Sequence, residues 1–292
     1  MILVKIHYGL GNQLFQYAFA KSLQLSTGFE VKLDNTFFNN FNETKHPRVF
    51  ALDKYNISLE IAKQEELPVK FPSGLSKKIV NRLERVFIPY YNRKFILESD
   101  LQFDERILKI EDNKYISGFW HDERYFSRFE NEIRNDLQYK NNPTGLNLEV
   151  YNEILGQENS VSLHIRRGDY LTDAHALKNI GCCNKEYYIN AINLLYEKIG
   201  EPKVYIFSDE PEWAKNNLSI PFSYKVIDIN NEENGFEDLR LMSICKNQII
   251  SNSSFGWWSA WLNNNKNKIV IAPKVWSLNG TDTITPYNWI KI

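Results

Sequence analysis

From about residue 158 the chain repeats one pattern: a short apolar run, a polar turn, then a segment with helical spacing. A strand at 161–165 precedes a helix near 185–199, in which Tyr188, Ile189, Ile192, Leu195 and Tyr196 fall on one side. A strand at 203–207 leads through Ser208-Asp209-Glu210-Pro211 into a short helix. Strand 224–229, a helix near 236–246, strand 247–251, a helix near 256–264 and strand 268–272 complete the series. Strands separated by helices are too far apart in sequence to pair as hairpins, so the pattern predicts a parallel, doubly wound sheet.

The first half begins the same way, with strand 2–6, helix 12–26 and strand 29–33, and then loses its regularity. Residues 122–138 read as a further helix, with Tyr125, Phe126, Phe129, Ile133 and Leu137 on one face. Between the halves, Tyr139-Lys-Asn-Asn-Pro-Thr-Gly145 has the turn residues of a linker. The expectation is an α/β protein of two Rossmann-like lobes, 1–145 and 146–292. A ligand cleft would lie between them, and the last residues would pack back on the first lobe.

Composition narrows the function classes. A formal net charge of −1 gives no basic surface for bulk nucleic-acid binding. The three cysteines, of which Cys182 and Cys183 are adjacent, show neither metal-ligand spacing nor a disulfide framework, which fits a reducing cytoplasm. No signal-peptide core and no apolar run of about 18 residues is present, so no membrane span is expected. The cluster Lys77, Lys78, Arg82, Arg85, Arg93 and Lys94 reads as a solvated helix face, with peripheral membrane contact as the alternative. No Asp-x-Asp pair, P-loop or His-Glu-x-x-His occurs, so no metal is expected. His7, His46 and His175 have no partner visible in sequence.

Four stations carry chemistry. Gly9-Leu10-Gly11-Asn12-Gln13 joins the first strand to the first helix. It fails as a dinucleotide fingerprint because Leu14 holds the third glycine position. Its glycines permit close backbone approach, and the amides of Asn12 and Gln13 suit hydroxyls or phosphate, although taken alone these residues read first as a plain structural turn. In 160–170, Val161, Leu163 and Ile165 point to one face of a strand; Ser162, His164 and Arg166 point to the other. Arg167 and Asp169 follow at the carboxyl edge, where open α/β sheets bind ligands. Two guanidinium forks there suit a pyrophosphate. Ser208-Asp209-Glu210-Pro211 is a helix start whose aspartate is placed to accept bonds from a base or a ribose. Finally Ile250 to Trp261 runs from a strand through hydroxyl-bearing Ser253 and Ser254 into a tryptophan-rich helix. Its free amides would hold an anion, and its indoles would fill a core.

In this order the stations resemble the inverting, GDP-fucose-dependent α-1,2-fucosyltransferase family. The carrying segments are Gly9-Leu-Gly-Asn-Gln-Leu-Phe-Gln-Tyr-Ala18, Gly118-Phe-Trp-His-Asp-Glu-Arg-Tyr-Phe126, His164-Ile-Arg-Arg-Gly-Asp-Tyr170, Phe207-Ser-Asp-Glu-Pro-Glu-Trp213 and Ile249 to Leu262. Against the family's usual pattern, Gly256 and Ser259 exchange small residues, and Asn247 replaces a frequent histidine. The resemblance implies a GT-B-like fold, no metal or other cofactor, and transfer of L-fucose from GDP-fucose to the 2-hydroxyl of a terminal β-galactose. The acceptor would be a surface-polysaccharide or O-antigen unit, lipid-linked or free. The chain would be a bacterial cytoplasmic one with at most peripheral contact to the inner membrane.

The candidate donor-binding residues are then Gly11, Asn12, Gln13, His164, Arg166, Arg167, Ser208, Asp209, Ser253, Ser254 and Phe255. The candidate acceptor-binding residues are Trp120 and His121, with Phe119 assigned to core packing. Arg166 would stabilise charge on the leaving diphosphate. Asp169 or His121 would take the acceptor's proton, with Asp122 and Glu123 as further candidates for the base and an arginine-orienting role as the alternative for Asp169. A nucleotide-sugar hydrolase, or a binding protein for GDP-sugars or glycans, would share the donor site without the acceptor chemistry.

Overall fold

The computed structural model describes residues 1–39, 48–68, 88–98, 102–172, 178, 180–278 and 284–292. His46, His175, Lys77, Lys78, Arg82 and Arg85 lie outside the described residues. The chain divides into two units, Met1–Tyr139 and Lys140–Ile292.

The second unit is built on β5 (Ser160–Ile165), β6 (Lys203–Ser208), β7 (Tyr224–Ile227), β8 (Asn247–Ile249), β9 (Val270–Ala272) and β10 (Ile290–Lys291). All pairings are parallel, in the order β10-β9-β8-β5-β6-β7. The chain winds outward from β5 through β6 to β7, then returns to β5's other side as β8 and winds the opposite way. The gap between the carboxyl ends of β5 and β8 is therefore a topological switch point, where no crossover helix blocks the edge. The C-terminal pair β10 joins this sheet as its edge strand.

Two-residue periodicity sorts the side chains. Val161, Leu163, Ile165, Val204 and Ile206 pack with Tyr188, Ala191, Ile192 and Leu195 of the helix Lys185–Ile199. Tyr205, Phe207 and Ile227 pack on the other face with Leu241, Met242 and Cys245 from the segment containing the helix Gly235–Ile244. Val150 and Ile154, from the helix Gly145–Leu155, join that second layer. Covered on both faces, β5 is buried along its whole length, so Ser160, Ser162 and His164 are polar residues inside a core.

The first unit carries β1 (Ile2–Lys5), β2 (Val31–Asp34), β3 (Phe95–Leu97) and β4 (Tyr115–Ser117), all parallel, in the order β2-β1-β4-β3. Here too the chain leaves β1 in one direction and comes back on its other side, which puts a switch point between the carboxyl ends of β1 and β4. The helix Leu10–Thr27 buries Leu14, Phe15, Phe19 and Leu23 completely. Its Tyr17 hydroxyl donates to Asp136, which also accepts from Ser58 and faces Lys21 at 3.5 Å.

The expected helix over 122–138 is broken. Short 3-10 turns cover Glu123–Tyr125 and Ser127–Phe129, and only Glu130–Asp136 is α-helical. The cause is Asp122: its carboxylate accepts the Arg124 backbone N–H at 2.9 Å and pairs with the Arg124 guanidinium, a local bond that competes with a regular helix. β3 and β4, only three residues each, were not anticipated; strands that short leave no periodic signal.

Candidate functional site

In the second unit, β5 ends at Ile165 and passes Arg166 and Arg167 straight to the switch point. Asp209, just past the end of neighbouring β6, reaches across to both. Its Oδ1 accepts the Arg167 backbone N–H at 3.0 Å, and its Oδ2 lies 3.3 Å from Arg166 Nε. Glu210 Oε2 faces Arg167 Nε at 3.2 Å, and the Arg167 guanidinium sits 3.8 Å from the centre of the Trp213 ring. The Arg166 guanidinium also lies over Tyr170, at 5.6 Å. Both arginines are thus held from behind by a carboxylate and placed on an aromatic ring. Among the described residues, the terminal nitrogens of Arg167 have no hydrogen-bond partner.

Gly168 is a steric requirement of that arrangement. A Cβ there would lie 2.9 Å from Asp209 Oδ2 and 3.4 Å from its Cγ, so a side chain would push the carboxylate off the arginines. Asp209 is thus bonded to the arginine pair, with its side chain still partly exposed. Ser208 Oγ accepts the Glu210 N–H at 3.0 Å and closes the turn.

The other side of the switch point is the turn after β8. Ser253 is the N-cap of the helix Ser254–Leu262, its Oγ accepting the Phe255 N–H at 3.3 Å. Asn252 is buried, and its amide donates to the carbonyls of Ile180, Gly181 and Trp276, pinning 180–183 beside the arginines. The Cys182 thiol donates to the Arg166 carbonyl at 3.2 Å, and all three cysteines are free. Ser254 and Phe255 are half-buried at the helix start, while Trp257 and Trp258 are fully buried.

His164 is buried beneath this edge, with Nδ1 2.9 Å from Ser251 Oγ. Burial and the nearby Arg166 charge pull its pKa down to about 3, so it is neutral at physiological pH. Gly256 is small for its sake: a Cβ at that position would stand 2.7 Å from His164 Nδ1 and 3.2 Å from Ile250 Cβ. Asp169 lies in the helix Gly168–Thr172, and its side chain is outside the described set.

The first unit's edge holds a different chemistry. His7, Tyr8 and Gly9 follow β1; Gly118, Phe119, Trp120 and His121 follow β4. Gln16 ties the two loops together: its Oε1 accepts the His7 N–H at 2.9 Å, and its Nε2 donates to the Gly118 carbonyl at 3.1 Å. Asn12 Oδ1 lies 2.9 Å from His121 Nε2. Gln13 is fully buried, donating to the carbonyls of Tyr8 and Val49 and accepting from the Ala51 N–H, so it braces the loop and cannot bind a donor. Gly11 is buried inside the first turn of the helix.

Trp120 and Phe119 reverse their expected burial. Trp120 is 1% exposed, stacks flat on Phe19 at 4.2 Å and meets Tyr125 edge-on, so its faces belong to the core. Phe119 is half-buried and stacks on exposed Tyr8. His121, expected to take a proton, has its pKa pulled down to about 3 by burial and by His7. So weakly basic an imidazole is uncharged at neutral pH and can serve as a polar contact. Asp122 is locked to Arg124, whereas half-buried Glu123 is pushed upward by burial and by the carboxylates of Asp122 and Glu130. Tyr8, His7 and Gln16 were missed in sequence, because aromatic and amide side chains beside a glycine loop carry no pattern of their own.

Comparison with known proteins places the chain in a class. Its fold is the α/β, GT-B-like fold of solved fucosyltransferases. The crystal structure of NodZ α-1,6-fucosyltransferase soaked with GDP-fucose matches it with a TM-score of 0.50 at 15% identity, over 89% of this chain and 91% of that one. More narrowly, residues 1–292 match Glycosyl transferase family 11, and the chain belongs to that family. An α-1,2-colitosyltransferase of Escherichia coli is 34% identical over 303 residues, covering 100% of this chain and 99% of the relative. The O-antigen biosynthesis glycosyltransferase WbnK of Escherichia coli is 30% identical over 304 residues, covering 97% and 98%. Among the described residues, no helix is long and apolar enough to cross a membrane, and no group of three His, Cys, Asp or Glu side chains is placed to hold a metal ion.

Buried His7 and His164, with pKa values pulled from 6.5 to about 4 and about 3, set an acid limit on stability. Below pH 6.5 the unfolded chain binds protons that the folded one refuses. Stability is therefore complete above that value and falls as pH drops toward 4, by up to about 1.4 kcal/mol per histidine per pH unit. Urea unfolding of the wild type and His164→Asn at several pH values measures this. A shallower acid slope is expected in the variant; identical slopes would contradict the assignment.

Proposed function

We propose that the chain transfers L-fucose from GDP-fucose to the 2-hydroxyl of a terminal β-galactose, with inversion, in the cytoplasm, on a surface-polysaccharide or O-antigen unit. The observation that carries this is the pair Arg166 and Arg167 at the β5–β8 switch point, each backed by a carboxylate. As fucose departs, negative charge grows on the β-phosphate of GDP. Forked guanidinium donors already fixed by Asp209 and Glu210 meet that charge without reorganising, and the start of the helix Ser254–Leu262 adds its amides. Arginines in this role make a divalent metal unnecessary. The acceptor belongs at the first unit's carboxyl edge with His121 and Asn12. Asp169 remains the candidate for the proton acceptor or for an arginine-orienting carboxylate, with Glu123 as the other candidate base.

A second reading concerns the donor sugar. The 34% identity to an α-1,2-colitosyltransferase supports colitosyl transfer on the same scaffold. Colitose is L-fucose without its 3-hydroxyl, so the arginine machinery would be unchanged. Side-by-side assays with GDP-fucose and GDP-colitose on lactose, with product NMR, separate the two. Fucose on the galactose 2-hydroxyl is expected. Transfer from GDP-colitose alone would establish the second reading, and release of free fucose without transfer would indicate a hydrolase.

Arg166→Ala is expected to lower kcat by about 100-fold or more, with Arg166→Lys recovering little, because an ammonium cannot make the forked contact. Full activity of Arg166→Lys would contradict the role. Gly168→Ala is expected to weaken GDP binding about tenfold through the displaced Asp209 carboxylate, with little change in Tm. Calorimetry showing unchanged GDP affinity would refute that reading of the glycine.

A further inference from the structure

We propose that Tyr8 is the stacking floor of a pyranose-binding platform at the β1–β4 edge of the first unit. Its backbone sits at φ 65°, in the left-handed region that bulky residues rarely adopt. A glycine would hold that turn at no steric cost. Gln13 on the Tyr8 carbonyl and Gln16 on the His7 N–H already fix the loop's backbone, so the turn itself does not call for a ring there. A bulky residue kept in an unfavourable conformation points to a use for its side chain, and here the ring is exposed rather than core.

The ring's surroundings say which function. Tyr8 is 48% exposed, and its hydroxyl makes no hydrogen bond among the described residues. It stacks on Phe119 at 5.5 Å, with Phe37 at 5.2 Å and the His7 ring edge-on at 4.9 Å. His121, 5.2 Å from Phe119, continues the surface to a neutral polar pair with Asn12. A rigid aromatic surface rimmed by an amide and an uncharged imidazole matches a pyranose, whose C–H face packs on rings while its hydroxyls exchange bonds at the rim. No charged side chain in this set would recognise a phosphate. Tyr8 would therefore hold the sugar that presents its hydroxyl for transfer, and so select among acceptors. The choice of galactose among pyranoses rests on the acceptor reading above; the platform does not.

Saturation-transfer NMR on the full chain, with methyl β-galactoside, methyl β-glucoside and guanosine as separate probes, tests this. Saturation of the galactoside ring protons is expected in the wild type and in Tyr8→Phe. In Tyr8→Gly it should fall about tenfold, while Tm stays equal or rises as backbone strain is relieved. In transfer to lactose, the same variant should raise acceptor KM with donor KM unchanged. Undiminished galactoside saturation in Tyr8→Gly overturns the platform, as does saturation of guanosine in place of both sugars, or of no probe at all. Sugar saturation through Tyr8 in a chain that transfers nothing from GDP-fucose would uphold the platform and overturn the fucosyl reading instead.

Discussion

One carboxylate organises the second unit's edge. Asp209 stands just past the end of β6 and bonds at once to a side chain and a backbone amide that leave β5, so two neighbouring strand ends are clamped together. It pairs with the Arg166 guanidinium and fixes the Arg167 backbone, while Glu210 faces the Arg167 guanidinium, so each arginine at the edge has its own carboxylate behind it. Gly168 follows from the clamp, since the carboxylate occupies the space where a Cβ would be. A motif that reads as four separate letters, Arg-Arg-Gly-Asp, is partly one contact with a residue some forty positions later.

Polar burial supports that edge from below. Ser251 and His164 bond to one another inside the sheet, and Gly256 leaves room for the imidazole. Asn252 fastens 180–183 through three carbonyls, and Cys182 returns a weak bond to Arg166's own carbonyl. The first unit repeats the logic with different chemistry. Gln13 and Gln16 are buried amides that brace loops at the switch point of a parallel sheet, leaving neutral, aromatic groups at the surface. A charged edge and an aromatic edge thus arise from the same winding rule applied to different loop residues.

Much of this was legible in sequence because the second unit obeys period-two and period-3.6 patterns throughout. Val161, Leu163 and Ile165 do share a core face, and the helix Lys185–Ile199 spans its expected limits. The first unit was read less well. Its strands after β2 are three residues long, and Asp122 breaks what apolar spacing presented as a continuous helix. Side-chain roles failed where burial decides them: nothing local distinguishes Trp120 from Phe119, and only Phe19 stacking on Trp120 reveals which ring is core. Gln13 looked like a ligand amide because the carbonyls it satisfies, at Tyr8 and Val49, lie in loops with no sequence signature.

The clamp itself is the claim on which the rest depends, and a double-mutant cycle in GDP affinity measures it most directly. Arg166→Ala, Asp209→Ala and the double variant would be titrated with GDP by calorimetry. If Asp209 acts by holding the arginine, the double variant should bind scarcely worse than Arg166→Ala, giving a coupling of about 1 kcal/mol or more. Losses that simply add would mean that the two residues act independently, and would contradict the clamp.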